Sequence, residues 1–347
     1  MQVVQIRRIM CHTALIASLS TSLALAGSPP IHSPWNSGAN HSPQTPAMAR
    51  PLWAYLSDQP SSKIIQCSVD PTSGMFSNCS DSGATGLSTP SGVVFNRAGT
   101  RAFVLNYWHA KAEAIQCTVN PTSGKFSNCG DTHATGLSGP GSVTLNHNGT
   151  WAFIVNIRGH NITRCAVDPT SGAFSNCVDA GVKDLKKPDS LTLNPKGTQL
   201  FIADWQTNKV TQCKVDPTTG KLSNCAGTGA TEVNKPYGIA LNPNGTRAFM
   251  VNYSKSNNQV IQCTVDPTSG KFSQCGNTGA NNLRSAHGIV LNAAGTRAFT
   301  LTETKSGKGV VATCAVNPST GAFSNCQEVG ATKILWPGGI TLSPTGA

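Results

Sequence analysis

Residues 236–275 read PYGIALNPNGTRAFMVNYSKSNNQVIQCTVDPTSGKFSQC, four short β-prone runs separated by turn residues. PYGIALNP (236–243) is apolar and ends at a turn, and Asn244-Gly245 then leads into a second run, Arg247 to Asn252. Asn258 to Val265 alternates apolar and polar residues, the period of a half-buried strand, and carries Cys263. DPTSG (266–270) is turn chemistry, with Pro fixing φ early and Gly accepting positive φ late. KFSQC closes the unit with a fourth strand and Cys275. In order these runs are strands A, B, C and D of one unit.

The unit recurs through the chain. CSVDPTSGMFSNC (67–79) and CTVNPTSGKFSNC (117–129) are close copies, and others start at Cys165, Cys213 and Cys314. First cysteines lie 50, 48, 48, 50 and 51 residues apart. Four short antiparallel strands per repeat of this length make a propeller blade, whose apolar faces are buried only against neighbouring blades. The fold expected is all-β, a six-bladed β-propeller over residues 50–347, with seven blades as the alternative. Strand A occurs six times, last at Ile340 to Ser343, whereas the first element is a B-type strand, PLWAYL. The C-terminal A strand is therefore expected to join the N-terminal B, C and D strands, closing the ring and removing exposed edges.

In the C–D hairpin, pairing Asp70 with Phe76 would set Cys67 opposite Cys79. Cα atoms at such a site lie about 4.5 Å apart, within reach of a disulfide. The expected bridges are Cys67–Cys79, Cys117–Cys129, Cys165–Cys177, Cys213–Cys225, Cys263–Cys275 and Cys314–Cys326. A spacing of eleven intervening residues, with no histidine in register, is unlike a zinc knuckle.

The N-terminus has the layout of a secretory signal over residues 1–26: Arg7 and Arg8, an apolar stretch from Thr13 to Leu25, and Ala24-Leu25-Ala26 as cleavage site. Cleavage removes Cys11, one of 13 cysteines, and leaves an even set, as a disulfide framework in an exported chain requires. Residues 27–49, rich in Pro and Ser, read as a disordered leader. A secreted or periplasmic monomer with no remaining membrane anchor is expected. Removing Arg7 and Arg8 lowers the net charge from +11 to +9. No nucleic-acid motif accompanies that charge, and no basic run exceeds two residues.

The A–B and C–D turns are monotonous, while the B–C and D–A loops vary in length and chemistry. Variation on one face of a repeat fold marks its binding face. The residues just before strand A (Ser91, Gly141, Asp189, Tyr237, His287 and Gly338) are expected at the channel. Asp189, Tyr237 and His287 fall on consecutive blades, and Asp204 and Glu303 end B strands above them. These five are the candidate channel-mouth site, able to run acid–base chemistry or to hold a cation. Trp108, His109, Arg158, His160 and Trp205 are candidates for ligand contact on the same face. No cofactor is required by the pattern, a divalent cation in the channel being the optional addition.

The pattern P-x-G-I-x-L-N-P-x-G-T-R-A-F-x-x-N, followed by V-D-P-T-S-G-K-F, is carried by Pro236 to Asn252 and Val265 to Phe272. It resembles the YVTN and lactonase-like β-propeller superfamily, and more distantly NHL propellers, over residues 50–347. The resemblance implies the propeller fold and repeats that serve hydrolases, lyases and binding scaffolds alike. The leading expectation is an exported scaffold that binds a protein, glycan or cell-envelope component. The alternatives are a lactonase-like or lyase-like enzyme at the channel mouth and a structural surface protein.

Overall fold

The computed structural model describes residues 51–108, 114–253, 259–280, 283, 285–303, 309–330 and 334–344. The signal and leader calls, and His109, lie outside them. In chain order the strands are β1 (Trp53–Asp58), β2 (Lys63–Val69), β3 (Phe76–Asp81), β4 (Pro90–Phe95), β5 (Arg101–Asn106), β6 (Ala114–Val119), β7 (Phe126–Asp131) and β8 (Pro140–Leu145). They continue as β9 (Trp151–Asn156), β10 (Asn161–Val167), β11 (Phe174–Asp179), β12 (Pro188–Leu193), β13 (Gln199–Asp204), β14 (Lys209–Val215), β15 (Leu222–Gly227) and β16 (Pro236–Leu241). The last are β17 (Arg247–Asn252), β18 (Gln259–Val265), β19 (Phe272–Asn277), β20 (Ile289–Leu291), β21 (Arg297–Glu303), β22 (Gly309–Val316), β23 (Phe323–Glu328) and β24 (Pro337–Leu342).

These strands form six four-stranded antiparallel sheets, the blades. Five run consecutively. The first is ordered β24-β1-β2-β3, so the C-terminal A strand closes the ring as the strand count requires. Its register pairs Ala54 with Leu342 and Leu56 with Ile340. The clasp is extended by the Ser343 N–H donating to the Trp53 carbonyl at 2.8 Å and the Trp53 N–H donating to Ser343 Oγ at 3.0 Å.

Blades are cemented by aromatic pairs. The B-strand Phe of one blade meets the D-strand Phe of the next: Phe103 with Phe174, Phe201 with Phe272, Phe249 with Phe323 and Phe299 with Phe76 have ring centroids 5.2 to 5.6 Å apart. Tyr55 takes this place in the first blade, stacked 5.0 Å from Phe126, with its hydroxyl donating to the Gly124 carbonyl at 2.7 Å. Each such ring is fully or almost fully buried, which explains why RAF and KFSNC recur: they hold the blade interface.

The C–D hairpin corrects the expected register. Val69, not Asp70, pairs with Phe76, and Ser68 pairs with Ser77. The register then slips by one, so that Gln66 faces Ser80. The inserted residue is Asn78, at φ 50°, and the corresponding Asn128, Asn176, Asn224, Gln274 and Asn325 share this left-handed backbone. Asn tolerates that region better than most residues, and the bulge it makes returns Cys67 to Cys79. All six bridges form as expected, with Cα–Cα separations of 4.0 to 4.1 Å.

At the turn, Asp70 Oδ1 accepts N–H bonds from Thr72 at 3.0 Å and Ser73 at 2.6 Å, and the Ser73 hydroxyl at 2.8 Å. Those Ser73 bonds hold the Asp70 carboxyl below its ordinary range. The aspartates of the equivalent turns, Asp168, Asp216 and Asp266, are lowered in the same way. Near the axis the inner strands crowd one another. A Cβ on Gly238 would lie 2.9 Å from the His287 carbonyl oxygen, so only glycine fits there.

Candidate functional site

The inner strands of all six blades surround one cavity of about 670 Å³. Two rings of residues form its mouth. The first comprises the second residues of the inner strands, Ser91, Gly141, Asp189, Tyr237 and Gly338, with His287 just before β20. In blades 1 to 5 these residues lie inside the strand rather than before it, where the sequence reading puts them, and only His287 precedes its strand. In blades 3 to 5, Gly141, Asp189 and Tyr237 sit where the register slips between the inner strand and its neighbour. The second ring comes from the residue one step beyond the B-strand Asn or Asp: Gln59, Tyr107, Ile157, Trp205, Tyr253 and, in blade 6, Glu303.

Asp204 belongs to neither ring. It occupies the position of Asn106, Asn156 and Asn252, one residue earlier than Glu303. Its buried carboxylate accepts the N–H groups of Lys186 at 2.7 Å, Lys187 at 3.1 Å, Gln206 at 3.1 Å and Thr207 at 3.2 Å. Asn106 holds the Ser88 N–H and Asn252 the Asn234 N–H in the same way. Asp204 is thus the lock of a blade corner, and aligning the blades by the first residues of their B strands (Trp53, Arg101, Trp151, Gln199, Arg247 and Arg297) exposes the one-residue offset. The same alignment reveals Gln59, Tyr107 and Tyr253, which sequence reasoning did not single out.

Asp189 is almost fully buried, and its Oδ2 has no hydrogen-bond partner. Burial pushes its carboxyl up to about 7; the nearby Lys187 opposes that rise and the Asp204 charge adds to it. His287 is also largely buried, which lowers its imidazole pKa, while Glu303 works in the other direction. His287 Nε2 lies 3.8 Å from Glu303 Oε1, and its Nδ1 is buried without a partner. Tyr237 packs edge-on to His287 at 5.4 Å, and Tyr253 lies 5.5 Å from Tyr237 and 5.7 Å from His287. Burial raises the Tyr237 phenol pKa, and the charge of Asp189 adds to the effect. Asp189, Tyr237, His287 and Glu303 therefore share one wall of the mouth.

The other candidates sit around the rim. Trp205 lines the cavity, with Lys187 Nζ 4.6 Å and Lys235 Nζ 5.3 Å from its ring. Trp108 is half exposed, with the Arg158 guanidinium 3.4 Å above its ring. His160 is exposed in the β9–β10 turn at φ 55°. Among the described residues no three His, Cys, Asp or Glu side chains gather as metal ligands.

A family profile described as "Lactonase, 7-bladed beta-propeller" matches residues 54–236, just over half of the chain. The chain belongs to this family. Within the lactonase family it is distinguished by its six four-stranded sheets among the described residues, against the seven blades of the family's description. Solved structures share its fold at low identity. A Bacteroides uniformis protein provisionally assigned as a 6-phosphogluconolactonase is 18% identical, with a TM-score of 0.59 over 82% of this chain and 84% of that one. The periplasmic gluconolactonase of Pseudomonas aeruginosa is 19% identical, with a TM-score of 0.58 over 81% and 84%. A chain of the nidogen/laminin complex is 11% identical, with a TM-score of 0.63 over 84% and 98%. No curated protein matches the chain.

Proposed function

We propose that this lactonase-family propeller hydrolyses a small sugar lactone at the mouth of its channel. One observation carries the reading: burial moves the pKa values of two groups in the same cavity in opposite directions, each toward its uncharged form. Asp189, with its carboxyl pushed up to about 7, holds its proton far above the pH at which an ordinary aspartate loses it, and burial favours the neutral imidazole of His287. Paired groups whose environments push their protonation apart in this way provide an acid and a base.

In the proposed reaction, His287, backed by Glu303, takes a proton from water as its oxygen adds to the lactone carbonyl carbon. The tetrahedral intermediate collapses by breaking the ring C–O bond. The ring oxygen leaves as a hydroxyl with a proton from Asp189, and the product is the open hydroxy acid. The imidazolium then returns its proton through solvent, restoring Asp189. Tyr237, Tyr253 and Trp205 give the sugar ring flat walls. The names of the two gluconolactonase-type neighbours support the substrate class. Six disulfides, and the periplasmic setting of one neighbour, are consistent with an extracellular or periplasmic location.

The test is acid release from glucono-δ-lactone and its 6-phosphate, followed by pH-stat above the spontaneous rate. His287→Ala and Asp189→Asn are each expected to reduce kcat by about 10²–10⁴-fold, the range of general acid–base catalysis, with the fold intact. Unchanged activity in both variants would overturn the reading.

A further inference from the structure

Five lysines converge on one turn of blade 4, residues 204–209 between β13 and β14. Asp204 fastens the backbone of Lys186 and Lys187 to this turn, and Asn208 Oδ1 accepts the Lys235 N–H at 2.8 Å. Lys209 opens β14 from the turn itself. Lys183 and Lys209 line a second groove, of about 710 Å³, that runs along the outer strand β15. Lys187 lines the channel cavity. The lysines thus form a ridge from the outer groove to the channel mouth.

Lys183, Lys186, Lys209 and Lys235 are exposed, and none of the five forms an ion pair with a described carboxylate. Asp184 and Glu232 share these loops without pairing to them. A second observation marks the ridge as a ligand site. Trp205 lies between Lys187 and Lys235, and its Nε1 is buried without an acceptor. A flat ring, an unsatisfied donor and two ammonium groups together call for a ligand bearing a pyranose face and acceptor oxygens.

We propose that this ridge binds an acidic polysaccharide, a carboxylate-bearing sugar chain lying along the blade 4 groove with one ring against Trp205. Lysine ammonium groups suit single carboxylates spaced along a chain. Residues 181–235 contain no arginine, the side chain that grips phosphate in two-pronged fashion. One aromatic platform fits a single stacked sugar, whereas a nucleic-acid groove presents a succession of them. The ridge meets the channel cavity at Lys187 and Trp205 but uses none of Asp189, His287 and Glu303, so polysaccharide binding does not require that lactones are hydrolysed.

Calorimetric titration of the full chain with galacturonic acid hexamer at 50 and 300 mM NaCl tests the proposal. Saturable binding that weakens at least fivefold at the higher salt is expected, because exposed charges are screened. Lys183→Ala/Lys209→Ala and Lys187→Ala/Lys235→Ala should each weaken binding at least fivefold. Lys196→Ala/Lys221→Ala, in turns on the opposite face, should leave it unchanged, and Trp205→Phe should abolish the fluorescence change on binding. Absent binding, equal binding of cellohexaose or of oligothymidylate, or an equal loss in the opposite-face pair would overturn it.

Discussion

His287 Nε2 stands 3.8 Å from Glu303 Oε1, two side chains delivered by the opposite ends of one inner hairpin of blade 6. The distance is longer than a direct hydrogen bond, yet short enough for the carboxylate to stabilise an imidazolium formed in front of it. Glu303→Gln should therefore lower the His287 pKa further, because the opposing influence on a ring already depressed by burial is removed. Histidine NMR titration of the two proteins checks this. An unchanged or higher pKa in the variant would separate the two residues.

Asp189 should make the protein less stable as pH rises. Its folded carboxyl, near 7, lies above the ordinary value of 3.8, so between those values the folded state holds a proton that the unfolded chain has lost. Stability falls across that window. Asp189→Asn removes the penalty, and at pH 8 it should gain about 2–4 kcal/mol over the parent, against little difference at pH 4. Urea unfolding at both pH values measures it.

Each hairpin bridge closes a ring of 12 residues in sequence separation. On the chain-entropy account, replacing Cys165 and Cys177 by Ser should cost about 2–3 kcal/mol. The Asn176 bulge is what brings these cysteines together, so Asn176→Val, which resists left-handed backbone, should slow formation of that bridge during oxidative refolding. Mass spectrometry of trapped intermediates reads the order of bridge formation.

Gly238→Val should be severely destabilising, although the residue contributes no side chain to any core. Its Cβ would meet the His287 carbonyl, a backbone atom that cannot swing away. A loss of about 1–3 kcal/mol or more is expected from such overpacking, together with displacement of His287 and loss of activity. Thermal unfolding and the pH-stat rate report the two effects separately.

The fold was legible from the sequence because each blade repeats the same local chemistry. DPTSG, N-x-x-G-T and the paired cysteines specify turns and staples without long-range information, and the missing first A strand announces the closure by Ile340. The bulge at Asn78 was not legible. Hairpin counting assumes one residue against one, and left-handed Asn in S-N-C breaks that count.

The mouth was legible only in part. Asp189, Tyr237 and His287 follow from the strand-A register, whereas Asp204 and Glu303 look equivalent until the blades are aligned residue by residue. One position apart, one carboxylate locks a corner and the other enters the cavity. From sequence, a binding face comes first and hydrolysis second. The family match and the opposite pKa shifts that burial gives Asp189 and His287 are the reasons for proposing the reverse order, and the lysine ridge returns binding as a further property of the same face.

The most direct test of the account is the pH profile of sugar-lactone opening by the unmodified chain. The account predicts catalysis above the spontaneous rate, a bell-shaped profile, and an alkaline limb near pH 7 that disappears in Asp189→Asn. No rate above the spontaneous background for glucono-δ-lactone or its 6-phosphate between pH 5 and 8 would contradict it.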